Sequence, residues 1–178
     1  MADTTGTSTG RSRTVTGLFR DRESAERAYN SLNSRGYSND DVNLIMSDET
    51  RKKHFADQDT ELGTKAWEDA GKGAAIGGGV GATLGALAAI GTTLALPGLG
   101  LLIAGPIAAA LAGGGAGALT GGLIGALVGH GIPEEHAKEY DRGVREGGIV
   151  MGVNARSDED AEYFENDWRS NRGEHIYR

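Results

Sequence analysis

From Gly73 to Gly129 the chain runs for 57 residues without one Asp, Glu, Lys, Arg or His; the run holds 18 glycines, 15 alanines, 18 leucines, isoleucines and valines, four threonines and two prolines. Every charged side chain of the 178-residue sequence therefore lies in the other 121 positions. A segment of this composition cannot stand bare in water, because soluble monomers rarely expose contiguous apolar patches larger than roughly a few hundred Å².

The glycines of the run are periodic. Gly73, Gly77, Gly81 and Gly85 recur at every fourth residue and Ala89 continues the row, while Gly113, Gly117, Gly121, Gly125 and Gly129 form a second row that Ala109 and Gly105 extend backwards. Positions i and i+4 stack on one helix face, so this spacing traces a groove on each helix, with Ile76, Val80 and Leu84, and Leu119, Leu123 and Leu127, as neighbouring ridges. Leu96-Pro97-Gly98-Leu99-Gly100 is the strongest breaker, and Pro106 suits the first position of a second helix. The spacing predicts an antiparallel helical hairpin with arms 74–96 and 107–129, a glycine zipper in which these glycines are the helix-packing residues. Each arm has 23 residues, about 34 Å of helix, against about 30 Å of hydrocarbon in a bilayer.

Membrane helices pack through small residues in this way. Each arm carries only seven Leu, Ile or Val, which favour the bilayer by about 2 to 4 kcal/mol in total. The six glycines of the first arm oppose helix formation in water by about 1 kcal/mol each relative to alanine. The docked pair is thus the unit to consider. Its expected partners are membrane lipid and other copies of the chain, with burial in a soluble homo-oligomer and a low-complexity disordered block as the alternatives. Because the turn is uncharged and charges crowd both ends, an inserted hairpin keeps both termini on the cytoplasmic side of the inner membrane; a hairpin buried in an oligomer leaves the protein in the cytoplasm.

The flanking sequence reads as a water-soluble frame. Residues 1–12 form a polar, disordered tail with no secretory signal. Thr14 to Phe19 reads as a strand, and Asp21 caps a helix whose apolar positions Ala25, Ala28, Tyr29 and Leu32 fall on one stripe, closed by Gly36. Val42, Leu44 and Met46 alternate in a second strand. Beyond a polar linker or helix over 49–72, the hairpin occupies 73–132. Pro133-Glu134-Glu135 starts a helix carrying Ala137, Tyr140 and Val144 that stops at Gly147-Gly148. Ile149, Met151 and Val153 mark a third strand, Ser157 or Asp158 caps a helix carrying Ala161, Phe164 and Trp168 that ends at Gly173, and Glu174 to Tyr177 form a last strand. Residues 13–48 and 133–178 therefore make an α+β domain, a ferredoxin-like split β-α-β sandwich of four antiparallel strands with helices on one face. Phe19, Tyr29, Leu44, Phe164 and Trp168 are its expected core.

Chemistry finds little foothold. With no cysteine, a disulfide scaffold, a thiolate zinc site and a cysteine nucleophile are excluded. A net charge of −7, with basic residues interleaved among acids, argues against a nucleic-acid partner. Gly77, Gly79 and Ala82 match G-x-G-x-x-A, but no strand precedes them, and Ala66 stands where a phosphate loop ending at Gly71-Lys72 needs glycine. His130, Glu135, His136 and Glu139 are close in sequence, yet Pro133 intervenes and a solvated helix start accounts for them better than a metal site. Trp67 suits either a membrane interface or the edge of the frame's core. No catalytic, cofactor or metal site is expected, and the chain reads as a non-enzyme.

Val15-Thr16-Gly17-Leu18-Phe19, Ser24-Ala25-Glu26-Arg27-Ala28 and Gly36-Tyr37, followed by Gly131-Ile132-Pro133 before an acidic helix and Gly147-Gly148 before a strand, resemble the heat-induced stress protein YflT-like (general stress protein) domain family. The resemblance spans roughly Thr14 to Tyr177 and includes members with a Gly/Ala-rich insertion. It implies a bacterial stress-induced protein and brings no catalytic residues with it. Two functions follow as expectations: a non-enzymatic stress protein that associates with the membrane or with itself through the hairpin, or a soluble oligomeric or regulatory module that binds a ligand or partner on its frame.

Overall fold

A computed structural model of the chain describes residues 13–55, 84–89, 91–96, 99–108 and 116–178. The fold is α+β and is built on one antiparallel sheet. In chain order the elements are β1 (Thr14–Phe19), α1 (Arg22–Ser34), β2 (Val42–Ser47), α2 (Asp48–Phe55), α3 (Leu84–Ala89), β3 (Thr92–Leu96), β4 (Leu99–Ala104), α4 (Ala116–Gly129), α5 (Glu134–Arg145), β5 (Ile149–Asn154), α6 (Asp158–Ser170) and β6 (Glu174–Tyr177). The six strands lie in the order β3-β4-β2-β5-β1-β6.

Local chemistry sets the frame's element ends. Asp21 caps α1 by accepting the Ser24 N–H at 2.8 Å, and Ser157 caps α6 by accepting the Asp160 N–H at 3.0 Å. At the end of α1, Gly36 takes a left-handed backbone (φ 76°), and the N–H groups of Gly36 and Tyr37 return to the carbonyls of Asn33 and Leu32. Paired backward bonds of this kind satisfy the last carbonyls of a helix. Gly147 and Gly148 repeat the arrangement after α5. At the end of α6 the left-handed residue is Arg172 (φ 64°), one position before the expected Gly173; Pro133 likewise precedes α5 as its cap instead of opening it.

The sheet is buried on both faces, which corrects the expectation of four strands with helices on one. Val15, Phe19, Leu44, Met46, Met151 and Val153 turn toward α1, α3 and α6, where Tyr29, Phe164 and Trp168 complete a core that is wholly shielded from solvent. Leu18, Ile45 and Val150, from alternate positions of the same strands, turn the other way, toward Leu123 and Leu127 of α4 and Tyr140 and Val144 of α5. Side chains alternate along a strand, so a strand apolar at consecutive positions requires cover on both sides.

The uncharged run does not form two plain helical arms. Thr92–Leu96, expected as the end of the first arm, is strand β3. It pairs with β4 in continuous register from Thr92↔Ile103 to Leu96↔Leu99, and β4 in turn pairs with β2 from Leu44↔Ala104 to Ser47↔Leu101. The Pro97-Gly98 breaker thus lies between two strands. In β4, Leu101 and Ile103 enter one core and Leu102 and Ala104 the other, each large side chain contributing roughly 1.5–3 kcal/mol on burial. A short apolar run buried on both faces has no periodicity to separate it from a buried helix. The second arm is helical at 106–108 and over α4, but Gly122 (φ 58°, ψ −144°) breaks α4 into two pieces. Among the described residues no helix is long and apolar enough to cross a membrane. The expectations for the tail 1–12, for Trp67 and for Gly73, Gly77, Gly81 and Gly113 lie outside the described residues.

Candidate functional site at the sheet edge

On the face toward α5 the sheet carries buried polar side chains at Thr16 (1% exposed) and Asn43 (3%), with Ser47 (6%) further along β2. Thr16 and Asn43 sit in one row across three strands, both in register with Gly152 of β5. A Cβ at Gly152 would lie 3.1 Å from the Thr16 methyl and 3.6 Å from the Asn43 Cβ, so the glycine keeps the row open. Both polar groups are committed. Asn43 Oδ1 accepts the Ile107 N–H at 2.8 Å, and the Thr16 hydroxyl lies 2.9 Å from the phenol oxygen of Tyr140.

Tyr140 links this row to the edge strand. Its hydroxyl donates to the backbone carbonyl of His175 at 2.7 Å, which leaves Thr16 as donor to the phenol oxygen. Burial pushes the Tyr140 phenol well above the ordinary tyrosine range, partly offset by the Thr16 hydroxyl. A phenol held protonated donates a hydrogen bond; it does not act as a base near neutrality. His175 is itself in a left-handed conformation (φ 51°), at the point where β6 slips register against β1 between Thr16↔Tyr177 and Leu18↔Glu174. A non-glycine residue there costs about 1–3 kcal/mol and persists only where its surroundings hold it, and Tyr140 is one of the groups that do so.

Around this bulge the His175 Nε2 lies 3.6 Å from Glu139 Oε2, which also receives Arg142. The ring of His136 lies 5.1 Å from that of Tyr177, and its buried Nδ1 has no partner among the described residues. On the opposite side of β6, toward α6, an open cleft of about 570 Å³ is walled by Arg13, Asp158, Glu165, Ile176, Tyr177 and Arg178. Its charges are matched within the chain: Arg13 holds Asp158 at 3.1 Å and Arg178 holds Glu165 at 3.3 Å. Such a surface can hold an amphoteric group through exchange of ion pairs, but the arrangement has no activated nucleophile.

The structure distributes the sequence-marked residues in a way spacing alone did not indicate. Of the cluster His130, Glu135, His136 and Glu139, His130 and Glu135 are exposed, while His136 and Glu139 meet Tyr177 and His175 of the last strand. No three metal-ligating side chains converge among the described residues. Gly85 lies in α3 and Gly117, Gly121, Gly125 and Gly129 lie in α4. A Cβ added at Gly121 or Gly129 would meet no described atom within 4 Å, so those two positions of the second row face open space among the described residues. The role of Thr16, Asn43 and His175 was not anticipated from sequence; the one available signal was a polar residue at an inward position of an otherwise apolar strand. No family model matches the chain, and neither a curated protein nor a solved structure matches it.

Proposed function

We propose that this chain is a non-enzymatic stress-type protein that works by associating with copies of itself, a self-assembling module on a ferredoxin-like frame. The observation that carries the reading is the use made of the uncharged run. Its segment Leu99–Ala104 pairs with β2 and its Leu101, Leu102, Ile103, Leu123 and Leu127 are buried in the two cores, while its strand β3 forms one edge of the sheet with no strand on its outer side among the described residues. The ferredoxin-like description draws support from the frame strands, which lie β2-β5-β1-β6 with α1 and α6 packed together on one face. The stress-type assignment rests on the residues of β1, α1 and the Gly36-Tyr37 turn that resemble the general stress protein domain. Among the described residues, the buried polar groups Thr16, Asn43 and Tyr140 hold elements together and leave no reactive pair exposed.

Adhesion to lipid is the competing reading, favoured by the run's lack of charge. The deciding experiment takes the full chain in detergent-free buffer, measures its mass by light scattering, and floats it with vesicles of phosphatidylethanolamine and phosphatidylglycerol. Self-assembly predicts a multiple of the chain mass and protein left behind by the vesicles. Quantitative flotation, or a need for detergent to keep the protein in solution, overturns it in favour of the membrane.

A further inference from the structure

We infer that the surface of self-association is the outer edge of β3, which pairs antiparallel with β3 of a second copy to join two six-stranded sheets into one. The inference rests on the self-assembly reading above and gives that reading a location other than the glycine rows.

The two edges of the sheet are built differently. Edge strands invite pairing with another chain, and proteins blunt them with shortness, charge, bulges or proline. β6 has these devices: four residues long, exposed at Glu174 and His175, and bulged with a positive φ at His175. β3 has none of them. It is Thr92-Thr93-Leu94-Ala95-Leu96, uncharged and free of proline, with an unbroken register against β4, and nothing among the described residues pairs with its other side.

Backbone geometry says which groups that edge offers. The hairpin closes on the pair Leu96↔Leu99 with two residues between; in such a tight hairpin the closing pair exchanges hydrogen bonds, and alternate residues bond inward. Thr92, Leu94 and Leu96 therefore spend their N–H and C=O groups on β4, while Thr93 and Ala95 direct theirs outward. Thr93 is also exposed. A two-fold axis through Leu94 places Thr93 of one copy opposite Ala95 of the other, so the outward-directed residues meet each other and exchange N–H···O bonds. The same axis puts Leu94 against Leu94 and Thr92 against Leu96, pairs with no charge to oppose.

Electrostatics selects the place of contact. Each copy carries a net charge of −7, so two copies repel on average, and like-charge opposition at a contact costs association. Strand β3 lies within the 57-residue run that has no ionisable side chain. Identical chains can approach there with their charges held apart, and the symmetric register makes the contact closed and isologous, a dimer instead of a fibre.

The test uses the full chain, Thr93→Lys and Ala95→Pro as edge-blocking variants, and Gly121→Leu as a variant of the glycine row. Expected are a doubled mass for the natural chain and for Gly121→Leu, and at least a tenfold weaker dimer for Thr93→Lys and Ala95→Pro with the far-ultraviolet dichroism of the natural chain. Hydrogen exchange of the peptide spanning Thr92–Leu96 reads the same contact without substitution: its protection should fall on dilution through the dimer midpoint. Assembly that survives both edge variants, or is lost only in Gly121→Leu, overturns the edge and leaves self-assembly standing. A natural chain that remains single at every concentration overturns both, as does concentration-independent exchange in that peptide for the edge.

Discussion

The side-chain oxygen of Asn43, on β2, accepts the backbone N–H of Ile107 at 2.8 Å and so fastens the start of the second half of the uncharged run to the frame. Both residues are buried, Asn43 at 3% and Ile107 at 5% exposure. Next to them Gly105 has φ 89°, and a Cβ there would overlap the Val42 carbonyl. One amide and one missing side chain thus join segments 64 residues apart. An N–H left unpaired in a buried layer costs about 1–3 kcal/mol. Asn43→Ala is therefore expected to lower the unfolding free energy read from urea titration by that amount, and Gly105→Ala by at least about 1 kcal/mol, each seen as a lower midpoint. An unchanged midpoint in both variants would sever the run from the frame.

Tyr140 ties α5 to the edge strand, and its loss should be visible in two ways. Tyr140→Phe strips the His175 carbonyl of a donor, at a cost of about 1–3 kcal/mol. The phenol's raised pKa adds a pH signature. Above the ordinary tyrosine value of about 10 the unfolded chain loses the proton while the folded chain keeps it, so stability falls as pH rises past that point. Tyr29 and Tyr37, also raised chiefly by burial, add to the fall. Urea titrations between pH 9 and 11.5 should show a shallower decline in Tyr140→Phe than in the natural chain; parallel curves would contradict the assignment.

Acid acts through the helix starts. Asp21 is held below the usual carboxylate range by the Ser24 N–H, and Asp160 by the Tyr37 hydroxyl and then by Arg35. A depressed carboxylate stabilises the fold above its unfolded value, about 3.9, and that contribution disappears as pH falls through the folded value. Asp21→Ala removes a cap worth about 0.5–2 kcal/mol and should flatten the loss of stability below pH 4. A variant that is destabilised yet keeps the full acid slope would assign the slope to other groups.

Two helical glycines make opposite predictions. Gly121 in α4 faces open space among the described residues, whereas a Cβ at Gly143 in α5 would press into Leu18. Gly121→Ala should raise stability by about 0.4–1 kcal/mol, chiefly by restricting the unfolded chain. Gly143→Ala should lower it by about 1–3 kcal/mol through overpacking against β1. Calorimetric midpoints moving in the same direction for both would refute the packing described.

The frame was legible because its signals are local. Asp21, Ser157, Gly36 and Gly147-Gly148 act through hydrogen bonds within a few residues, and the short β-branched and apolar runs Thr14–Phe19, Val42–Ser47 and Ile149–Asn154, each bounded by turn or cap residues, mark strands directly in the sequence. The core residues Phe19, Tyr29, Leu44, Phe164 and Trp168 are where that pattern put them, all fully buried. The candidate site was not legible in the same way. Tyr140 and His175 are 35 residues apart and Thr16 and Tyr140 are 124 apart, so their meeting depends on strand order.

By itself, the sequence determined that an uncharged, glycine-rich run must be hidden from water and that an α+β frame surrounds it, because transfer free energy and turn chemistry depend on residue type and near neighbours. Tertiary structure alone decided that Leu99–Ala104 is a strand beside β2, that helices cover both faces of the sheet, and that Gly121 is open while Gly143 is tight. The physical reason is that an apolar side chain or a bare Cα carries no preference for which surface covers it; the neighbour across the sheet makes that choice.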